Sequence, residues 1–187
     1  MAWYLVCLIS IVAVAQVDST ELPHQGTNMA IKFEKLGSCE NFPNGDIKLS
    51  NISTQQIGRN QVVVSGQLDV KVPVDEKFKL QEILTRCNSK FERGNCEEFP
   101  PSIFDLCEHL AEEDKVWSGL VHHLENFTPK CPVPPGSYAF HNLKPIIVSA
   151  PLLPGYWIAK YEGFIGKDRV MCFQNEMSFN RQKDKSV

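Results

Sequence analysis

The sequence predicts a mainly β protein: an antiparallel sandwich or cup with a short helical insert at one edge, stabilised by disulfides. Three observations carry that expectation. Period-two alternation of apolar and polar residues recurs along the chain. Pro-Gly and Asn-Gly signals punctuate it as turns. An even set of cysteines remains once an export signal is removed.

Residues 1–15 are almost all apolar and end in Ala13-Val14-Ala15. The run is shorter than the roughly 18 apolar residues of a membrane helix, and its small-x-small ending suits a cleavage site. It reads as a signal peptide, although it carries no Lys or Arg, and the mature chain reads as secreted. Cys7 leaves with it; Cys39, Cys87, Cys96, Cys107, Cys131 and Cys172 remain. In an exported chain they suggest three bridges whose connectivity spacing alone leaves open. Residues 16–28 are polar, contain Pro23 and Gly26, and read as a loose segment. Residues 29–180 are expected to form one domain and 181–187 a flexible polar tail.

Ile31-Lys32-Phe33-Glu34 alternates and opens the domain as a strand. Ser38 to Gly45 reads as a turn that contains Cys39 and closes on Pro43-Asn44-Gly45, after which Asp46 to Ile52 alternates again. Gln61 to Val72 is the clearest strand. Val62, Val64, Gly66, Leu68, Val70 and Val72 share one face; Gln61, Ser65, Gln67, Asp69 and Lys71 share the other. Asn60 precedes it as a turn residue and Pro73 ends it. Lys77 to Gln81 alternates through Phe78 and Leu80 and leads to Cys87.

After the small loop from Cys87 to Cys96 the period changes. Ile103, Leu106, Cys107 and Leu110, then Trp117, Leu120, Val121 and Leu124, recur at helical spacing. They predict a helical insert with Pro101 at its first helical position. Glu112-Glu113-Asp114-Lys115 reads as a solvated face or as a break between two short helices, and the prolines from Pro129 to Pro135 end all helix.

Pro135-Gly136 and Pro154-Gly155 each launch a strand. Beyond the second, Trp157, Ala159 and Tyr161 fall on one side and Tyr156, Ile158 and Lys160 on the other. Lys167-Asp168 is expected at a hairpin tip, and the run that follows sets Met171, Phe173, Met177 and Phe179 on one face.

Net charge is −3 and the basic residues are scattered, so nothing steers the chain to nucleic acid. There is no G-x-S-x-G, no G-x-G-x-x-G and no P-loop, and cysteines held in bridges are not nucleophiles. Glu97-Glu98 and Glu112-Glu113-Asp114 read as solvated charge rather than a catalytic pair. His122 and His123 are adjacent, which points their rings apart on a helix and makes a poor metal pair; convergence with His109 and His141 in space is left open by the sequence, and no C-x-x-C is present. The expectation is a protein that is not an enzyme and takes no cofactor and no metal. Two sequons, at Asn51 and Asn126, agree with export, although Pro129 weakens the second as an acceptor. Large apolar side chains are abundant near the insert and the last strands. They fit either a packed core or an apolar cavity between sheets that do not close on each other.

Certain phrases carry a resemblance. They are Ser38-Cys39 after the first strand, the long strand at Val62 to Val72, Cys87 and Cys96 ahead of Phe104-Asp105-Leu106-Cys107, and Cys131-Pro132 followed by Pro135-Gly136-Ser137-Tyr138. Leu153-Pro154-Gly155-Tyr156-Trp157 and Val170-Met171-Cys172-Phe173 complete the set. In this order they resemble the ganglioside activator-like (ML-type) lipid-recognition β-cup family and its insect secreted, chemosensory-type relatives, over Ile31 to Phe179. The chain has one bridge fewer than the ganglioside activator pattern.

The resemblance implies a β-cup whose apolar interior holds lipid, with the helical insert near the mouth. It also implies the bridges Cys39–Cys172, Cys87–Cys96 and Cys107–Cys131. Residues expected to line the cavity are Val64, Leu68, Phe78, Leu80, Phe104, Trp117, Leu120, Phe140, Trp157, Tyr161 and Phe173. The expected function is a secreted carrier of lipid or another hydrophobic small molecule, in pheromone or taste detection or in glycolipid presentation. A membrane surface or a receptor is a further expected partner. The alternative is an extracellular module with a filled core that acts on a receptor through its surface.

Overall fold

The computed structural model describes residues 29–58, 61–113, 115, 117–144 and 153–181. The expected signal peptide, the segment 16–28, Asn60, Asp114 and nearly all of the polar tail lie outside the described residues.

Nine strands and two one-turn helices follow in order: β1 (Met29–Ser38), β2 (Ile47–Gly58), β3 (Gln61–Val70), β4 (Phe78–Cys87), β5 (Cys96–Glu98), β6 (Ser102–Asp105), α1 (Leu106–His109), α2 (Ser118–Val121), β7 (Gly136–Leu143), β8 (Gly155–Ile165) and β9 (Asp168–Arg181). The protein is mainly β, as its alternation predicts. Pairing divides the strands into two wings. In the larger, β4, β8, β9 and β1 run antiparallel in that spatial order, with β5 and β6 both added to the outer edge of β4. In the smaller, β2, β3 and β7 form an antiparallel meander. The wings meet through one parallel bridge, Ile47 to Met171.

The turn chemistry lies where the sequence puts it. Gly136 and Gly155 begin β7 and β8 directly after proline, and Gly155 stands at φ 144°, which glycine alone reaches without strain. The β8–β9 tip is Gly166-Lys167, one residue earlier than expected, because Gly166 supplies the positive φ of 64° that the reversal needs. A bulge between Ser50 and Ser53 in β2 places Asn51 at φ 52°, a conformation asparagine tolerates better than most residues.

The insert departs from the sequence reading. Ile103 is in β6, not on a helix, and it is 67% exposed; Pro101 precedes that strand rather than starting a helix. The outer edge of β4 offers free backbone groups, and Ser102–Asp105 takes them by pairing with Glu82–Lys79. Among the described residues helix then survives only as α1 and α2, on either side of the Glu112–Lys115 stretch.

Three disulfides staple the wings and the insert, with the pairing the resemblance implies. Cys39–Cys172 ties the exit of β1 to β9, and the Cys39 N–H also donates to the Cys172 carbonyl at 3.0 Å. Cys87–Cys96 links directly opposed residues of β4 and β5. Cys107–Cys131 fastens α1 to the proline-rich segment ahead of β7. The main core lies between the inner faces of the wings and under the insert. A second cluster, Trp157, Met177 and Phe179 with Phe33 and Phe99, lies farther along the inner face of the larger wing.

Candidate ligand cavity

Cross-strand partners share a face, so the pairing register says which side chains meet inside. On the larger wing the inner row of β4 is Phe78, Leu80 and Glu82; opposite these on β8 stand Ile165, Gly163 and Tyr161. On β9 the same row continues through Met171, Phe173 and Asn175. The smaller wing answers with Ile47 and Leu49 from β2, Val64, Leu68 and Val70 from β3, and Phe140 and Leu143 from β7. Leu106, Leu110, Trp117, Leu120, Val121 and Leu124 of the insert close one side, and Phe33 and Leu36 of β1 another.

These walls do not meet. Between them remains a partly open cavity of about 190 Å³. An engineered cavity of about 150 Å³ lined by Leu, Ile and Phe stays dry and binds benzene, so this space has the volume of a ring or a short chain. Among the described residues no lysine, arginine or histidine lines it, and the polar side chains that do are Asn175, the Tyr161 phenol and the Trp117 indole N–H.

Of the residues expected to line the cavity, Val64, Leu68, Phe78, Leu80, Trp117, Leu120, Phe140, Tyr161 and Phe173 do so. Phe104 and Trp157 do not. Phe104 stands behind Trp117, with ring centroids 5.4 Å apart and planes at 74°, and braces it against the cavity. The Trp117 N–H donates to the His109 carbonyl at 3.3 Å, which fixes the indole further. Trp157 occupies the expected sheet face but the wrong end of it. Its ring stacks on Phe99 at 5.5 Å, and its N–H donates to the Leu153 carbonyl at 3.0 Å.

What separates Trp157 from the cavity is a polar belt missed by the sequence reading. Glu82 and Tyr161 are direct cross-strand partners, and on β9 Asn175 stands one inward position beyond Phe173, the partner of Tyr161. Glu82 is 6% exposed. Burial pushes its carboxyl up from the ordinary range against the opposing pull of the Tyr161 hydrogen bond. Burial also raises the Tyr161 phenol, and the neighbouring Glu82 adds to that. Glu82 Oε1 and Asn175 Oδ1 are both buried without a hydrogen-bond partner. The signal was present in the chain. Inward positions run Phe78, Leu80, Glu82 on β4 and Phe173, Asn175, Met177 on β9, so each polar residue interrupts an apolar row.

The other polar candidates lie apart from the cavity. His109 Nδ1 is 2.5 Å from Glu112 Oε1, His141 Nε2 is 3.4 Å from Glu125 Oε1, and His122 and His123 are exposed. Lys115, and then His109, hold the Glu112 carboxyl below its usual range. Among the described residues no group of three or more His, Cys, Asp or Glu could hold a metal ion. Asn51 and Asn126 are exposed, both at positive φ, and the Asn51 amide donates to Gln67. No helix of the described residues is long and apolar enough to cross a membrane. No family model and no curated protein matches the chain.

Proposed function

We propose that this protein is a secreted carrier that holds a lipid or other hydrophobic small molecule between its two wings and performs no chemistry on it. The observation that carries this reading is the apolar cavity of about 190 Å³ in a core otherwise packed and cross-linked. Protein interiors are close-packed, and a void of this size forfeits the contacts its walls would otherwise make. An acyl chain or a hydrophobic semiochemical is the occupant that the resemblance to the ganglioside activator-like family and its insect chemosensory-type relatives implies.

The architecture also supports uptake of longer chains. Ladder hydrogen bonds run within each wing, and the wings share only the Ile47–Met171 bridge. Parting them widens the cavity at the expense of side-chain contacts, while Cys39–Cys172 keeps the chain that leads into β2 fastened to β9 of the larger wing. Export accords with three disulfides, which persist in oxidising compartments. Exposed sequons at Asn51 and Asn126 accord with glycosylation on that route.

The second reading, action on a receptor or a membrane surface, draws on Phe91 and Ile103, which are 85% and 67% exposed. Lys90 lies over the Phe91 ring at 5.1 Å, a cationic and apolar pair at the tip of the Cys87–Cys96 loop. Native mass spectrometry of protein secreted from eukaryotic cells separates the two. A co-purifying hydrophobic mass that organic extraction removes supports the carrier. A clean mass that stays unchanged when hydrophobes are added favours the surface reading.

A further inference from the structure

Of the polar groups in the cavity wall, the Trp117 N–H and the Tyr161 phenol have partners, whereas the hydrogen bonding of Asn175 is incomplete. Asn175 lines the cavity from the inner face of β9, between Phe173 and Met177, with Ala159 and Leu36 as its cross-strand partners. None of these four neighbours has a side chain that donates a hydrogen bond. Asn175 Nδ2 lies 3.9 Å from the Met177 sulfur, while Oδ1 is buried and accepts nothing. The nearest phenol, Tyr161, hydrogen-bonds to Glu82. A buried carbonyl without a donor is costly, and an apolar side chain of similar size would serve packing better.

From this we infer that the Asn175 side-chain amide, turned about its Cβ–Cγ bond so that Oδ1 faces the cavity, is the acceptor for the hydroxyl of a small neutral alcohol whose hydrocarbon part fills the cavity. The inference rests on the carrier reading and assigns its ligand class. An alkane or an ester brings no donor to the amide. A carboxylate is disfavoured on charge: among the described residues no cation lines the cavity, and the Glu82 carboxyl belongs to the same inner face. An alcohol keeps its hydrogen bond while its chain leaves water. The size of the space, just above that of the benzene-binding cavity, sets the scale of the hydrocarbon part.

Benzyl alcohol, benzaldehyde, ethylbenzene and benzoate test the assignment, because they share a ring and differ at the hydrogen-bonding end. Titration calorimetry or NMR of the disulfide-intact protein reads their dissociation constants. Benzyl alcohol is expected to bind about tenfold more tightly than benzaldehyde, which accepts but does not donate. Benzoate is not expected to bind at neutral pH. In Asn175→Leu, benzyl alcohol weakens about tenfold whereas ethylbenzene holds or improves. Equal or tighter binding of benzaldehyde, or equal loss of both ligands in Asn175→Leu, overturns the alcohol assignment and leaves the carrier reading intact. If none of the four binds, both fall. The comparison within the wild type decides the matter even where the variant folds poorly.

Discussion

Glu82 and Tyr161 oppose each other across β4 and β8, and the phenol hydrogen-bonds the carboxyl group on the cavity side of the sheet. An acidic group there is kept at a cost, since burial favours its protonated form. The pair also marks a boundary, with the cavity on one side and the Trp157 cluster on the other.

A pH dependence follows. The folded state raises the Glu82 pKa, so between the unfolded and folded values the native protein binds more protons than the unfolded chain. Its stabilising contribution is full below the ordinary carboxyl range and is lost as pH rises through the folded value. Glu82→Gln removes that loss. Urea unfolding at several pH values should show wild-type stability falling relative to Glu82→Gln on going from acid toward neutral pH. A constant difference would place Glu82 in contact with water.

Gly163 sits opposite Leu80 on β4 and Met171 on β9, where the register brings three strands to the cavity floor. A Cβ built there would lie 2.4 Å from Phe78 Cζ and 2.9 Å from Met171 Cβ, and Phe78, buried at 1% exposure, can yield only by shifting its ring in the cavity wall. Gly163→Ala is therefore expected to destabilise by about 1–3 kcal/mol through overpacking. Adding Phe78→Leu should recover part of it. A double-mutant cycle without coupling would show that the ring is not what blocks the site.

The disulfides should differ in weight. Cys39 and Cys172 are separated by 133 residues and Cys87 and Cys96 by 9. In the chain-entropy picture the long loop is worth about 5 kcal/mol and the short one about 3 kcal/mol. Paired Cys→Ala variants, compared by denaturant midpoint and by secreted yield, should lose more for Cys39–Cys172. That bridge also fastens the chain leading into β2 next to Met171, the β9 residue that pairs with Ile47. Equal losses would mean that strain or residual structure in the unfolded chain outweighs loop length.

Much of this was legible in the chain because a strand with one buried face writes that face as every second residue. Val64, Leu68 and Val70 on β3, and Met171 and Phe173 on β9, are where alternation puts them. Alternation reports the face and not the distance along it, which is why Trp157 is on the correct side and outside the cavity. Helical spacing misled at Ile103, because over four residues a free strand edge outcompetes it, and the edge of β4 is a long-range feature. Glu82 and Asn175 were passed over as breaks in apolar rows. The break was the information.

The tryptophans now make a sharper probe than either would alone. Trp117 lines the cavity, with its ring edge held by Phe104 and its N–H by the His109 carbonyl. Trp157 is stacked on Phe99 beyond the polar belt, and Trp3 falls in the expected signal peptide. A hydrophobe entering the cavity should thus change the emission of Trp117 and leave that of Trp157 nearly constant. Trp117→Phe should abolish the response and Trp157→Phe should keep it. Affinity in a series of lengthening neutral chains should rise by about 0.8 kcal/mol per methylene while the added groups are buried. Once the 190 Å³ is filled, further methylenes must part the wings, and the increments should shrink. A response that survives Trp117→Phe and disappears in Trp157→Phe would move the ligand to the other end of the sheet. Affinity flat from the shortest chain onward would mean that the walls close on themselves, and the surface around Phe91 would become the place to look.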